Sequence, residues 1–151
     1  MITLKTISLE KYDKQIVEDS IRTRSIKKHT NLEFHSSASY IPFENKLFLG
    51  YESGKKVLLT RIRTPFERLL PKLTIVFAED DFSSCRIKYS LQPFLLLLLI
   101  SITIIVNIYY LILSRKFENE FFSAIVAASL FYILTIIELK IVSIKVRKAI
   151  I

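Results

Sequence analysis

LQPFLLLLLISITIIVNIYYLIL, residues 91–113, carries no charged side chain and decides how the rest of the chain is read. Its about 23 residues make roughly 34 Å of helix, more than a hydrocarbon core of about 30 Å requires. A surface helix of a soluble domain keeps a polar stripe, and this one has none over its whole length. It is predicted to cross a membrane.

A second apolar run follows from Phe121 to Ile137 and is closed by Glu138 and Lys140. At about 17 residues it lies at the lower limit for a span. With a few flanking residues it gives a second membrane helix over 121–139. The connection, residues 114–120, is short enough to force an antiparallel pair, and residues 140–151 are expected to form a basic tail. Lys72, Arg86 and Lys88 precede the first span, and Lys140, Lys145, Arg147 and Lys148 follow the second. The connection offers only Arg115 and Lys116. The positive-inside rule then places both termini in the cytoplasm and residues 114–120 outside. Tyr109, Tyr110 and Phe117 fall near the outer interface and Tyr89 near the inner one, where aromatic belts form.

Ser123, Ala124, Ala127 and Ala128 make two overlapping pairs of small residues four apart, a pattern that lets another helix approach closely. They serve either packing within the hairpin or self-association. Asn107 and Glu138 are the polar groups that could mark an ion path, but both are placed toward helix ends.

Upstream, composition changes. Residues 1–90 hold sixteen Lys and Arg against eleven Asp and Glu, within a net charge of +8 for all 151 residues. A basic membrane protein is drawn to the anionic cytoplasmic leaflet, by about 1 kcal/mol for each basic group near the surface. The chain shows no strip of interleaved basic and aromatic residues, so nucleic acid is not an expected partner. The first residues lead into a charged stretch without the apolar centre of a signal peptide, so insertion is expected to use the internal helices.

Ser8 is read as the cap of a helix carrying Leu9, Tyr12, Ile16 and Val17 on one face, with Glu18 and Arg22 as an i,i+4 pair. The helix is expected to fray near Lys27. Beyond Asn31, two hairpins are predicted. Leu47-Phe48-Leu49 turns through Gly54 into Val57–Ile62, and Leu73, Ile75 and Phe77 turn through Glu79-Asp80-Asp81 into Cys85, Ile87 and Tyr89. Pro65 and Pro71 bracket the connection between them. The expected fold is thus an α+β membrane protein: an N-terminal helix and a small antiparallel sheet of about four strands in residues 1–90, then a two-helix transmembrane hairpin. Pro93 is suited to the first turn of the first membrane helix.

Gly50, Arg61-Ile62-Arg63, Pro71 and Leu91-Gln92-Pro93-Phe94 together resemble small uncharacterised bacterial membrane proteins with a compact β-rich domain before a helical hairpin. The resemblance spans about Leu47 to Ile105. Gln92 stands where that pattern commonly has a His, and no Gly follows Pro71 closely. The resemblance implies the architecture and a bacterial inner-membrane setting, and it implies no activity.

Familiar chemistry is missing from the pattern. Gly50-Tyr51-Glu52-Ser53-Gly54-Lys55-Lys56 is one residue short of a phosphate loop and has no Ser or Thr after the lysine. His29 and His35 lack partners at metal-ligand spacing, and Glu79-Asp80-Asp81 offers too few oxygens for a hard cation. Cys85, the one cysteine, shares strand parity with apolar residues and is expected to be inert. No metal, cofactor or catalytic residue is expected. Arg61 with Arg63 and Arg86 with Lys88 each share a strand face and are candidates for contact with lipid or an acidic partner. The expected function is a non-enzymatic, membrane-anchored interaction, accessory or protective module. An anionic-lipid-sensing domain and a small oligomeric channel are the alternatives.

Overall fold

A computed structural model describes residues 2–27, 45–53, 56–78, 81–114 and 119–150. His29, His35, Gly54, Glu79, Asp80, Arg115 and Lys116 lie outside the described residues.

Among the described residues the chain forms a mixed sheet of six strands and three α-helices, two of them long and apolar. Strand β1 (Thr3–Ser8) leads into helix α1 (Lys14–Thr23) and the short β2 (Ser25–Lys27). A meander follows, made of β3 (Phe48–Ser53), β4 (Lys56–Arg61), β5 (Leu73–Ala78) and β6 (Asp81–Tyr89). The order across the sheet is β1-β6-β5-β4-β3-β2. Every neighbouring pair is antiparallel except β2 and β3. β1 and β2 therefore run in the same direction at opposite edges, and α1 crosses the sheet between them.

This corrects the expectation of a four-stranded antiparallel sheet: the strands of the two predicted hairpins form and pair with each other through β4 and β5, and β1 and β2 add one strand at each edge, β2 in parallel. Ser8 ends β1 instead of capping a helix. The cap is Asp13, whose side chain accepts a 2.8 Å hydrogen bond from the Gln15 N–H. An Asp in extended backbone immediately before an amphipathic run satisfies one of the orphan amides of the first turn. The Glu18–Arg22 pair forms at 2.7 Å, and Arg22 also meets Glu52 of β3.

Alternation sorts the sheet residues. Val57 and Leu59 of β4, Ile75 and Phe77 of β5, and Cys85 and Ile87 of β6 are buried on one face, where Val17 and Ile21 of α1 close over them. Burial pushes the Cys85 thiol up to about 12. A maleimide is therefore expected to leave Cys85 unmodified at neutral pH until denaturant is added; labelling of the folded chain would contradict its burial.

Ser90 alone separates β6 from helix α2 (Leu91–Ser114), and its N–H donates to the Lys72 carbonyl at 3.1 Å. Pro93 falls in the first turn, where its missing N–H costs no hydrogen bond. Helix α3 (Asn119–Ile150) is one continuous helix of 32 residues. Residues 140–150 are thus not a loose basic tail. Val142, Val146 and Ala149 are fully buried beside α1 in the sheet core. Arg24, just after α1, donates to the Lys148 carbonyl and so serves the C-terminal end of α3. Both α2 and α3 are long and apolar enough to cross a membrane. The α2 span Leu91–Leu113 has mean hydropathy 2.6, and from Phe94 onward none of its residues is buried within the protein.

Candidate functional site

The sheet and the apolar helices meet at a buried ion pair. Arg61 continues the core-facing parity of Val57 and Leu59, and its side chain is 1% exposed. Its Nε donates to Glu138 Oε1 at 2.7 Å and its Nη2 to Oε2 at 2.6 Å. Such a two-pronged guanidinium–carboxylate contact is short and fixes orientation as well as charge. Glu138, also 1% exposed, falls on the inward stripe of α3 with Ala124, Phe131, Thr135, Val142 and Val146. It stands mid-helix, not at a helix end as expected from the sequence.

A second carboxylate closes the other side. Glu67 Oε1 lies 2.8 Å from Arg61 Nη1, an ion-pair contact out of line for a hydrogen bond. Glu67 belongs to the 3-10 turn Phe66–Leu69 between β4 and β5, and its Oε2 accepts from the Thr64 N–H at 2.8 Å. Burial pushes the Glu67 carboxyl up, but the Thr64 N–H and the Arg61 guanidinium outweigh it and hold it below the ordinary range. One guanidinium thus ties together β4, the turn and α3.

The same junction is reinforced one turn earlier on α3. The Tyr89 hydroxyl donates to Thr135 Oγ1 at 3.2 Å, and Thr135 returns its own proton to the Phe131 carbonyl at 2.9 Å. The Tyr89 and Phe131 rings stack with centroids 6.1 Å apart.

Beside the ion pair a groove of about 510 Å³ opens between the 3-10 turn, the start of α2 and the middle of α3. Arg63, Arg68 and Lys72 line it from the sheet side, and Leu96, Ile100, Ala127 and Phe131 from the two apolar helices. Lys72 is 5% exposed. Arg63 donates to the Leu70 carbonyl at 2.6 Å, which braces the turn, and burial lowers the Arg63 pKa.

The four cations expected to act as lipid or partner contacts do not form one patch. Arg61 is enclosed by two carboxylates and is out of reach of any surface ligand. Arg63 lines the groove. Arg86 is exposed and Lys88 half-buried, and both alternate with Cys85 and Ile87 on β6, so they lie on the opposite face of the sheet. The small residues divide too: Ala124 is buried, Ala128 is half-buried, Ser123 is exposed, and Ala127 lines the groove.

Glu67 and Arg68 carry much of this site and were not singled out from the sequence, whereas Glu138 was read as a possible ion-path residue near a helix end and Lys72 only as a charge that orients the first span. Two signals pointed to the ion pair. Arg61 shares parity with Val57 and Leu59, and Glu138 falls at the spacing of the buried residues of its helix. Glu67 and Arg68 gave no such signal, because a 3-10 turn between prolines has no periodicity to read. No family model, no curated protein and no solved structure matches the chain.

Proposed function

We propose that the chain is a two-span protein of a bacterial inner membrane whose sheet domain works at the cytoplasmic surface as a non-enzymatic interaction, accessory or protective module. The observation that carries this reading is the continuity of α3 through the Arg61–Glu138 pair. One helix leaves the apolar hairpin and enters the sheet core without a break, with a buried, two-pronged ion pair at the crossing. A domain joined in this way cannot swing on a linker, so the bilayer fixes the surface it presents. Leu95, Leu99, Ile102, Ile105 and Ile112 on α2 are exposed. Each would gain about 1.5–3 kcal/mol on removal from water, and a lipid phase supplies that cover.

The test is extraction with alkaline carbonate, followed by impermeant thiol labelling of Ser53→Cys and Asn119→Cys in intact cells. The silent Cys85 can stay in place. The chain is expected to remain in the membrane pellet, with Asn119→Cys labelled and Ser53→Cys protected until the cells are opened. Labelling at Ser53→Cys alone would reverse the orientation, and release by carbonate would sink the anchored reading. Recognition of anionic lipid is a second reading, and the basic side of the groove is what favours it.

A further inference from the structure

The groove sets charge against hydrocarbon. Arg63, Arg68 and Lys72 line it from the sheet side, and no carboxylate lines it among the described residues. From Gln92 to Ile100 its α2 wall descends about 12 Å along the helix, and the facing wall of Ala127 and Phe131 is apolar. A volume of about 510 Å³ lies within the range of sites that enclose a small molecule. A ligand with an anionic head and a hydrocarbon tail complements both the basic and the apolar walls.

The lip of the groove is equally suggestive of lipid. In the 3-10 turn, Phe66 is 92% exposed and Leu69 82% exposed, on either side of Glu67 and Arg68. Bare apolar side chains next to cations are the composition of an interfacial anchor, with hydrocarbon inserted below the headgroups and cations level with the phosphates. Because the turn borders the first turns of α2, it sits where that helix enters a bilayer.

We propose that an anionic membrane phospholipid occupies this groove, with its phosphate among Arg63, Arg68 and Lys72 and one acyl chain against Leu96, Ile100, Ala127 and Phe131. The proposal rests on the two-span reading. Arginine forks match phosphate oxygens in pairs, and the deeply set Lys72 adds a point charge behind them. A zwitterionic head would bring its own cation against the same basic wall. Inorganic phosphate would fill the head site and leave the apolar walls uncovered.

The full chain in detergent, titrated with phosphatidylglycerol or phosphatidylcholine and observed by native mass spectrometry, tests this. One phosphatidylglycerol per chain is expected to be retained in preference to phosphatidylcholine. Arg68→Gln, an exposed change, should weaken retention about fivefold, the effect of one basic group at a lipid surface. Ala127→Phe fills the apolar side, keeps all three cations and should abolish retention. Arg86→Gln, on the opposite sheet face, should leave it unchanged.

Equal retention of the two lipids, full retention by Ala127→Phe, or equal competition by inorganic phosphate would overturn the proposal. So would a loss in Arg86→Gln as large as that in Arg68→Gln, since attraction would then be diffuse. Carbonate extraction of the same variants separates the two failures. A released chain counts against the spans, and an integrated chain without lipid preference counts against the groove alone.

Discussion

Glu138→Ala is expected to destabilise the protein by about 3–5 kcal/mol, because it leaves the Arg61 guanidinium buried with its two-pronged partner gone. Glu67 remains beside Nη1 but cannot replace the paired bonds that Nε and Nη2 make to Glu138. Total stabilities run to only about 5–15 kcal/mol, so the single change removes a large fraction. The paired replacement Arg61→Met with Glu138→Leu should recover most of the loss, since well-packed apolar residues often substitute for a buried ion pair at little cost. Thermal unfolding in detergent, followed by size-exclusion chromatography, measures all three chains. Arg86→Ala is the surface control and should stay within about 0.5 kcal/mol. An unchanged midpoint for Glu138→Ala would mean that the pair is not buried at the junction.

The same pair marks the limit of what the sequence makes legible. The first apolar helix is legible because about 23 consecutive uncharged residues admit few other structures. The central meander is legible because Leu73, Ile75 and Phe77 and then Cys85, Ile87 and Tyr89 alternate strictly, and a period of two is the signature of a half-buried strand. The edges are harder to see. Thr3–Ser8 is mostly exposed and, among the described residues, pairs on one side with β6, so its apolar signal is weak. β2 is three residues long and is defined by its parallel pairing to β3, a contact no local pattern announces. Ser8 resembles a helix cap because Ser and Asp share that preference, and only tertiary pairing places the helix start at Asp13.

The candidate site is less legible still, for a physical reason. Arg61 and Glu138 are 77 residues apart, and each alone has an ordinary explanation: a cation at the end of a strand, an acid at the end of an apolar run. Arg86 and Lys88 look equivalent to Arg61 and Arg63 as basic pairs on strands. Parity separates them only when each strand is read against its own buried residues. The groove depends on a turn, a helix start and a helix middle brought together, so no single segment contains it.

Ending the chain at Leu139 is the second change of large expected effect, and it decides what residues 140–150 are for. By composition they are a basic tail, whose removal would cost nothing but charge. In the folded chain, Val142, Val146 and Ala149 are fully buried and Ile150 nearly so, against the core formed by α1 and the sheet. Burial of Val- or Ile-sized side chains contributes about 1.5–3 kcal/mol each, so their joint loss approaches the whole stability of an ordinary domain. Loss of the Arg24 contact to the Lys148 carbonyl adds to it. The shortened chain is therefore expected to keep both apolar helices in the membrane pellet while its sheet unfolds, and Cys85 should become reactive to maleimide without denaturant. Val146→Asp in the full-length chain should expose the same thiol by placing a charge in the core, whereas Arg147→Gln, one residue on and exposed, should not. A shortened chain whose Cys85 stays silent would return residues 140–150 to the role of a tail and detach the hairpin from the sheet.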